Sequence, residues 1–297
     1  MNLKQKLYMR SSITTILDTL KEAQILLKKS NISTYKLDAK ILLSHILKLN
    51  NSEELLFKLN QKISELDYSQ YYRLINRRLQ NEPVAYILGN KDFWKQNYII
   101  DNSVLIPRPE TELVIELLLK KLNKKIDTPL NILELGTGSG CIILSLLSEF
   151  KYSKAIAIDI SKKALNIAKL NAKKLSLDNR INFVLGNWFS NLNSNFKFDI
   201  IISNPPYVSL NDWETLDKNV RYFEPKIALT DNKDGLENYK IIAKHSKNYL
   251  NKDGIIVLEI GINQSFAIEN IFQNYGYKID FYKDLQSIKR VAIITKN

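Results

Sequence analysis

Along residues 128–297, short apolar runs alternate with longer stretches in which apolar residues recur at helical spacing. Short apolar runs bounded by turn residues predict strands, and the longer periodic stretches predict helices. The predicted strands lie near residues 130–135, 154–159, 181–185, 198–203, 254–260, 277–283 and 289–296, and the predicted helices span 140–149, 161–176, 236–250 and 263–275. This alternation indicates an α/β fold, with a parallel sheet that carries helices on both faces. No helix is predicted between the last two strands, so one of them is expected to run antiparallel to the rest.

Residues 1–82 have a different pattern, because they predict helices only. The apolar positions at helical spacing are Ile13, Ile16, Leu17, Leu20 and Leu27 in a first helix, and Leu37, Ile41, Leu42 and Ile46 in a second. Ser33 or Thr34 is the expected cap of the second helix, Ser52 begins another, and a last helix covers about 68–80. The segment is therefore predicted to be a small helical-bundle domain.

Residues 83–110 are expected to connect this bundle to an α/β domain at 111–297. The sequences "DFWKQNYII" and "VLIP" predict two extended pieces that are joined at Asp101 and Asn102 in a hairpin-type connection. Pro109 suits the first position of the helix that follows, because its missing N–H is not needed there.

Composition narrows the class of protein only slightly. Hydrophobic residues make up 45% and charged residues 25% of the 297 residues, which is ordinary for a soluble globular protein. The single cysteine, Cys141, excludes an intrachain disulfide and suits a reducing compartment. No apolar run approaches the roughly 20 residues of a membrane span, and the first residues lack a secretory signal pattern. A cytoplasmic protein without a membrane partner is expected.

The formal net charge of +12 raises the question of a nucleic-acid partner. Residues 1–85 hold 14 basic and 8 acidic side chains, an excess of 6 that is half of the total. Basic residues are interspersed with acidic ones, however, and no block of five like charges occurs. A solvated basic surface is the favoured interpretation, and a weak contact with nucleic acid or with a ribosome-associated partner stays open.

A glycine-rich turn follows the first predicted strand of the α/β domain, in "NILELGTGSGCIIL". Gly136, Gly138 and Gly140 permit positive φ and a close approach of the backbone to a ligand. Such turns lie at the carboxyl ends of parallel strands, where open α/β sheets bind their ligands. The spacing G-x-G-x-G differs from the dinucleotide fingerprint G-x-G-x-x-G, which needs a glycine at Cys141. A merely structural turn is the alternative.

Two further residues suit a nucleoside cofactor. Asp159 ends the next predicted strand, where a carboxylate can accept both hydroxyls of a ribose. The ribose of a nicotinamide cofactor and that of S-adenosylmethionine fit such a carboxylate equally well. The competing interpretation is that Asp159 caps the helix that follows, although Ser161 suits that role too. Trp188 follows the third strand, where its ring either borders an adenine or belongs to the core.

The fourth predicted strand ends in the sequence Asn204-Pro205-Pro206-Tyr207, which we call the corner. The Asn204 side-chain oxygen and the Pro205 carbonyl are two acceptors, and each suits one N–H of a planar amino or amide group. The prolines fix φ near −65° and favour an extended Asn204, so the acceptors are held in place. Tyr207 offers a flat face to the planar group and a π surface to positive charge. This arrangement suits methyl transfer to a nitrogen. It needs no metal, and the two histidines, His45 and His245, form no ligand cluster with Cys141.

These motifs together resemble the HemK/PrmC family of protein-(glutamine-N5) methyltransferases, within the class I S-adenosylmethionine-dependent methyltransferases. The resemblance covers nearly the whole chain through the segments "DAKILLSHIL", "NEPVAYILGNKDFW", "LIPRPETE", "ELGTGSG", "ISNPPYV" and "FEPKIAL". Glu134 departs from it, because many members have aspartate there. The region "YKDLQSIKRVAIITK" is more diverged, and no site residue is assigned in it.

The resemblance implies a Rossmann-like seven-stranded methyltransferase sheet, preceded by a helical domain that helps to hold the substrate. The implied reaction is methylation of the glutamine N5 in the Gly-Gly-Gln motif of peptide-chain release factors, with S-adenosyl-L-methionine as cofactor. The implied cofactor-binding residues are Gly136, Thr137, Gly138, Ser139, Gly140, Asp159, Trp188 and Asn204, and the implied catalytic residues are Asn204, Pro205, Pro206 and Tyr207.

Two other functions compete with this prediction. Nucleic-acid amino-methyltransferases, which act on rRNA or DNA, share the corner, but they usually carry a base-recognition domain and flip their target. The residues after Tyr207 are largely used by the sheet, which leaves little chain for such a domain, and RNA binding by the helical domain is the form of this alternative that stays open. A non-catalytic cofactor-binding module is disfavoured by the intact corner.

Overall fold

The computed structural model describes residues 14–297, which form two compact units that divide between Gly89 and Asn90. The first unit is helical, as the apolar pattern predicts. Its helices are α1 (Ile16–Lys29), α2 (Tyr35–Ile46), α3 (Glu65–Leu79) and α4 (Val84–Leu88), with a 3-10 turn at Glu54–Lys58. Side-chain oxygens cap two of them, because Thr15 accepts the Asp18 N–H and Ser64 accepts the Asp67 N–H, each at 3.1 Å. Ile13 lies outside the described residues.

Two details of the helical prediction are wrong. Leu37 is 55% exposed, and the buried face of α2 carries Ala39 and Leu43 instead. Ser52 does not begin a helix with its side chain, because the Asn51 side-chain oxygen accepts the N–H groups at the start of the 3-10 turn.

A buried ion pair and a tyrosine hydroxyl stabilise the first unit. The Arg78 guanidinium donates to the Asp38 carboxylate at 2.7 Å, and both side chains are only 8% exposed. The Tyr71 hydroxyl donates to the Ala39 carbonyl at 3.0 Å. Both contacts join α2 to α3, because Asp38 and Ala39 belong to α2 while Tyr71 and Arg78 belong to α3.

The second unit begins with a hairpin of β1 (Asn90–Phe93) and β2 (Gln96–Ile99). The turn lies at Trp94, which has a φ of 54°, and not at Asp101 and Asn102 as predicted. Residues 104–107 form no strand. The sequence gives no glycine or Asn-Gly signal at the turn, so the pattern could not locate it.

Seven further strands form one sheet among the described residues. They are β3 (Asn131–Leu135), β4 (Lys154–Asp159), β5 (Ile181–Leu185), β6 (Phe198–Ser203), β7 (Leu250–Glu259), β8 (Tyr277–Lys283) and β9 (Lys289–Lys296). The order across the sheet is β5-β4-β3-β6-β7-β9-β8. The first five strands pair in parallel, and β9 runs antiparallel to both of its neighbours. The predicted sheet is therefore confirmed, including its antiparallel member.

Helices cover both faces of this sheet. On one face lie α5 (Glu112–Lys121), α6 (Cys141–Glu149) and α7 (Lys162–Lys174), and on the other lie α11 (Glu237–Ser246) and α12 (Ser265–Gln273). Three short helices, α8 (Leu210–Thr215), α9 (Lys218–Phe223) and α10 (Lys226–Leu229), lie in the connection between β6 and β7. Alternate residues of β3 enter different cores, since Ile132 packs with α5 and α6 while Leu133 packs with α11 and α12. The short helices α8 to α10 were not predicted.

The connectivity places several chain segments at one edge of the sheet. β3 lies between β4 and β6, and the connections from β3 and β6 therefore leave toward opposite sides. Open α/β sheets bind their ligands at such a switch point, beside the carboxyl ends of the strands.

Candidate active site

A cavity of about 430 Å³ lies at this switch point. Its size falls within the range of small-molecule sites. Of the predicted cofactor-binding residues, those that line it are Gly136, Thr137, Gly138, Ser139, Asp159, Trp188 and Asn204. The fold therefore brings together loops that follow β3, β4, β5 and β6.

The glycine-rich turn between β3 and α6 forms one wall of the cavity. Its glycines have φ values of 74°, 55° and 80°, which is the region that favours glycine. Gly140 does not line the cavity. A Cβ there would lie 3.3 Å from the Ala168 Cβ, so this glycine permits close packing of α6 on α7.

Glu134 lies directly beneath this turn and is fully buried at the end of β3. The Thr137 hydroxyl donates to its carboxylate. Burial raises the pKa of Glu134 to about 8, although the Thr137 hydrogen bond lowers it. Sequence reasoning noted this position and gave it no role in the site.

Asp159 joins the first two loops of the site. One carboxylate oxygen accepts the Gly138 N–H at 2.8 Å, and the other accepts the Ser161 N–H at 2.8 Å. Burial raises the pKa of Asp159 above its ordinary value, against these N–H groups, which lower it. The Ser161 hydroxyl oxygen caps α7 by accepting the Ala164 N–H. Asp159 is thus not the side-chain cap of α7, and its oxygens keep lone pairs for ligand hydroxyls.

Trp188 lines the cavity in a strained backbone conformation. Its φ is 51°, a region that bulky residues rarely occupy and that costs on the order of 1–3 kcal/mol. The Asn187 N–H, just before it, donates to the Ser190 hydroxyl at 2.7 Å. The ring also packs against the core on the α11 side of the sheet, so the indole lies between the cavity and the core.

The corner follows β6 directly. Asn204 and Pro206 line the cavity, whereas Pro205 is buried and Tyr207 is half-buried beside it. Among the described residues, none donates a hydrogen bond to the Asn204 side chain or to the Pro205 carbonyl. Both acceptors that the sequence assigned to a substrate amide therefore lack a partner among the described residues.

Three side chains that the sequence did not single out hold the rest of the corner. Asn238 donates to the Pro206 carbonyl at 2.7 Å, and Gln264 donates to the Tyr207 carbonyl at 2.9 Å. The Tyr207 hydroxyl donates to the Glu259 carboxylate at 3.2 Å. These partners lie 32, 57 and 52 residues away along the chain, so no local pattern could reveal them.

Two buried carboxylates connect the corner and the α9–α10 region to residues 106–111. Glu259 accepts the Thr111 hydroxyl at 2.5 Å in addition to Tyr207, and burial raises its pKa. Glu224, which is 5% exposed, accepts the Ile106 N–H at 3.1 Å and pairs with Arg108 at 2.5 Å. Arg108 and Thr111 both line the cavity. The segments "LIPRPETE" and "FEPKIAL" thus meet through this ion pair.

The described residues contain no group of three or more histidine, cysteine, aspartate or glutamate side chains arranged to hold a metal ion. Across residues 14–297, no helix combines the length and the apolar character that crossing a membrane requires.

Comparison with known proteins assigns the class. Residues 18–89 match the family model of the PrmC N-terminal domain, and residues 111–220 match that of the methyltransferase small domain. The crystal structure of a methyltransferase from Pyrococcus furiosus shares the fold, with a TM-score of 0.51 over 75% of this chain and 97% of that chain, at 19% identity. The chain therefore has the fold of a methyltransferase, and the predicted α/β fold class is confirmed.

Curated relatives specify the family. A release factor glutamine methyltransferase from Buchnera aphidicola subsp. Schizaphis graminum is 39% identical over 269 residues, which cover 89% of this chain and 94% of the relative. The chain belongs to the release factor glutamine methyltransferase family. A bifunctional methyltransferase from Rickettsia prowazekii is 42% identical over 298 residues, but the chain spans only 57% of that relative's length.

Proposed function

We propose that the protein transfers a methyl group from S-adenosyl-L-methionine to the side-chain amide nitrogen of the glutamine in the Gly-Gly-Gln motif of peptide-chain release factors. The observation that carries this proposal is the pair of unpartnered acceptors, Asn204 and Pro205, beside the cavity of a chain in this family. Both N–H groups of a primary amide would find an acceptor there.

The cavity suits the proposed cofactor. The Asp159 carboxylate offers lone pairs to the ribose hydroxyls, and the indole of Trp188 offers a flat surface to the adenine. Gly136 and Gly138 line the cavity without side chains, so the backbone of this turn can approach the ligand closely. When bound, S-adenosylmethionine supplies an electrophilic methyl group on a sulfonium.

The corner would increase the low nucleophilicity of an amide nitrogen, which is the main obstacle to its methylation. The lone pair of an amide nitrogen is delocalised into the carbonyl, so the nitrogen is a weak nucleophile. Hydrogen bonds from its N–H groups to Asn204 and Pro205 would orient the nitrogen and increase its electron density toward the methyl group. Transfer would give the nitrogen the methyl group in exchange for one N–H proton, which would pass to solvent, and the cofactor sulfur would keep the electron pair of its former bond to the methyl carbon. Acceptors fixed in advance contribute about 10²–10³ each to the rate of such a step.

Tyr207 and the helical unit complete the proposal. The tyrosine ring is fixed at its hydroxyl and at its carbonyl, so it offers a rigid flat wall to the planar amide. Residues 1–82 would help to hold the release factor, as the match to the PrmC N-terminal domain supports. A release factor is a cytoplasmic partner, so the proposal places the reaction in the cytoplasm.

A methyl-acceptor assay tests the proposed function. The purified protein is incubated with methyl-labelled S-adenosylmethionine and, in parallel, with a release factor, with the same factor carrying alanine in place of the Gly-Gly-Gln glutamine, and with rRNA and DNA. We expect label only in the unaltered release factor. Label in nucleic acid and none in the release factor would instead establish an amino-methyltransferase of nucleic acid.

A further inference from the structure

The corner has more hydrogen-bond acceptors than a single amide can use. Besides the Asn204 side chain and the Pro205 carbonyl, the carbonyls of Pro206 and Tyr207 lie within the same four residues. Pro206 lines the cavity, so its carbonyl would compete for the N–H groups of a substrate amide if it were free. It is not free, because the Asn238 side-chain nitrogen donates to it at 2.7 Å.

The two side chains that occupy the extra acceptors are themselves fixed. Asn238 is 7% exposed and belongs to α11, which packs in the core beneath the corner. The Gln264 oxygen accepts the Gly261 N–H at 3.0 Å, so its NH₂ group is turned toward the Tyr207 carbonyl. Neither donor needs to reorganise when a substrate binds.

The surroundings leave little room for another arrangement. A Cβ on Gly261 would lie 2.6 Å from the Gln264 oxygen and 3.1 Å from the Tyr207 ring. A Cβ on Gly235, which has a φ of 81°, would overlap the Tyr207 carbonyl oxygen. Side-chain atoms at either glycine would therefore displace the donor or the tyrosine.

We propose that Asn238 and Gln264 are positioning residues for methyl transfer: by occupying the Pro206 and Tyr207 carbonyls, they leave Asn204 and Pro205 as the acceptors for the substrate amide. A proline ring fixes φ but not ψ, and ψ sets the direction of the proline's own carbonyl. A hydrogen bond donated to that carbonyl fixes its direction. The inference rests on the proposed function, because it assigns a task within that reaction.

Substitution of Asn238 tests the inference. Asn238→Leu keeps the approximate shape but removes the donor, and we expect kcat to fall by about 10²-fold with a small change in cofactor affinity, since misplacement near the reacting atoms has that cost. In Asn238→Asp, an ionised carboxylate cannot donate to a carbonyl, whereas the protonated acid can. The ratio of its kcat to that of the wild type is therefore expected to rise as the pH falls.

The neighbouring titratable groups, Asp231, Glu237 and Glu259, are the same in the wild type and in Asn238→Asp. Their titration therefore cancels in the ratio of the two kcat values, and the remaining pH dependence comes from position 238. Asn251→Leu is the matched control, because Asn251 donates to Asp199 at 2.7 Å at the opposite edge of the sheet. We expect that variant to lose stability without losing kcat. Gln264→Glu should behave as Asn238→Asp does, for the same reason.

An unchanged kcat in Asn238→Leu, or a pH-independent ratio for Asn238→Asp, would overturn the inference. If the wild type does not methylate a release factor, the proposed function is refuted, whatever the variants show. Crystal structures of the wild type and of Asn238→Leu then test the positioning role independently of activity. A rotated Pro206 carbonyl is expected in the variant, and an unmoved carbonyl would contradict the positioning role.

Discussion

Asp159→Ala is the substitution whose effect the site geometry defines most closely. The carboxylate lies at the end of β4, and its two oxygens each accept one backbone N–H at 2.8 Å, from Gly138 and from Ser161. In the proposed complex the same oxygens also accept the two ribose hydroxyls. The substitution therefore removes two ligand contacts and two contacts that shape the loops.

The size of the effect follows from the number of lost hydrogen bonds. A hydrogen bond to a charged group contributes about 1.5–3 kcal/mol, so two such bonds contribute about 3–6 kcal/mol. The lower value is appropriate because each oxygen of Asp159 is already shared with a backbone N–H. We therefore expect the affinity for the cofactor to fall by roughly 10²-fold.

Isothermal titration calorimetry with S-adenosylhomocysteine, the demethylated product, measures this affinity without turnover. Ser153→Ala is the matched control, because the fully buried Ser153 hydroxyl accepts the Leu130 N–H at 3.1 Å at the opposite end of the same strand. Losing that acceptor costs about 1–3 kcal/mol of stability and should leave ligand affinity unchanged. If Asp159→Ala stays folded and binds the ligand as tightly as the wild type, the ribose contact is refuted.

Three other variants have defined outcomes. Asn204→Ala should lower kcat by about 10²-fold while cofactor affinity changes less, and equal kinetics to the wild type would remove Asn204 from the reaction. Burial raises the pKa of Glu134 from an ordinary value of 4.5 to about 8, so the folded state favours the protonated carboxyl. The contribution of this group to the free energy of unfolding is fully present below pH 4.5 and is lost as the pH rises toward about 8. Urea unfolding of the free protein should show a decline between about pH 5 and about pH 8. Glu134→Gln should reduce the slope by at most about 1.4 kcal/mol per pH unit, and Asp159 and Glu259, whose pKa values are also raised, retain the remainder. Gly235→Ala should lower both melting temperature and kcat, because its Cβ meets the Tyr207 carbonyl oxygen, and normal values of both would show that the corner tolerates displacement.

The five inner strands of the large sheet, β3, β4, β6, β7 and β9, were predictable because their central residues are buried on both faces. Buried parallel strands are nearly continuous apolar runs, as Ile200 to Ile202 show, and the turn residues between them are distinct. The absence of a helix between the last two strands predicted that one of them is antiparallel, without indicating which, and the structure shows that it is β9. Its insertion between β7 and β8 was not predicted, since pairing partners are set by packing far along the chain.

Elements without a strong apolar period were missed. Helices α8 to α10 have 6, 6 and 4 residues, too few to display a helical period. The exposed Leu37 illustrates the opposite error, because a large apolar residue outweighed the smaller Ala39 that actually faces the core.

The candidate site likewise contains residues that the sequence predicts and supporting residues that it does not. Gly136, Asp159 and Asn204 were found because each lies at the carboxyl end of a predicted strand or directly after it, where open α/β sheets bind their ligands. Asn238, Gln264 and Glu259 share no motif with the corner that they support, and only the folded chain brings them to it.

Mass spectrometry of a release factor after incubation with the protein and S-adenosylmethionine tests the central claim most directly. Fragmentation of the peptide that contains the Gly-Gly-Gln motif is predicted to place a single methyl group on the amide nitrogen of the glutamine, and Asn204→Ala should leave that peptide almost unmodified. A release factor that stays unmodified with active, cofactor-binding protein, or a methyl group on any other residue, would contradict the account.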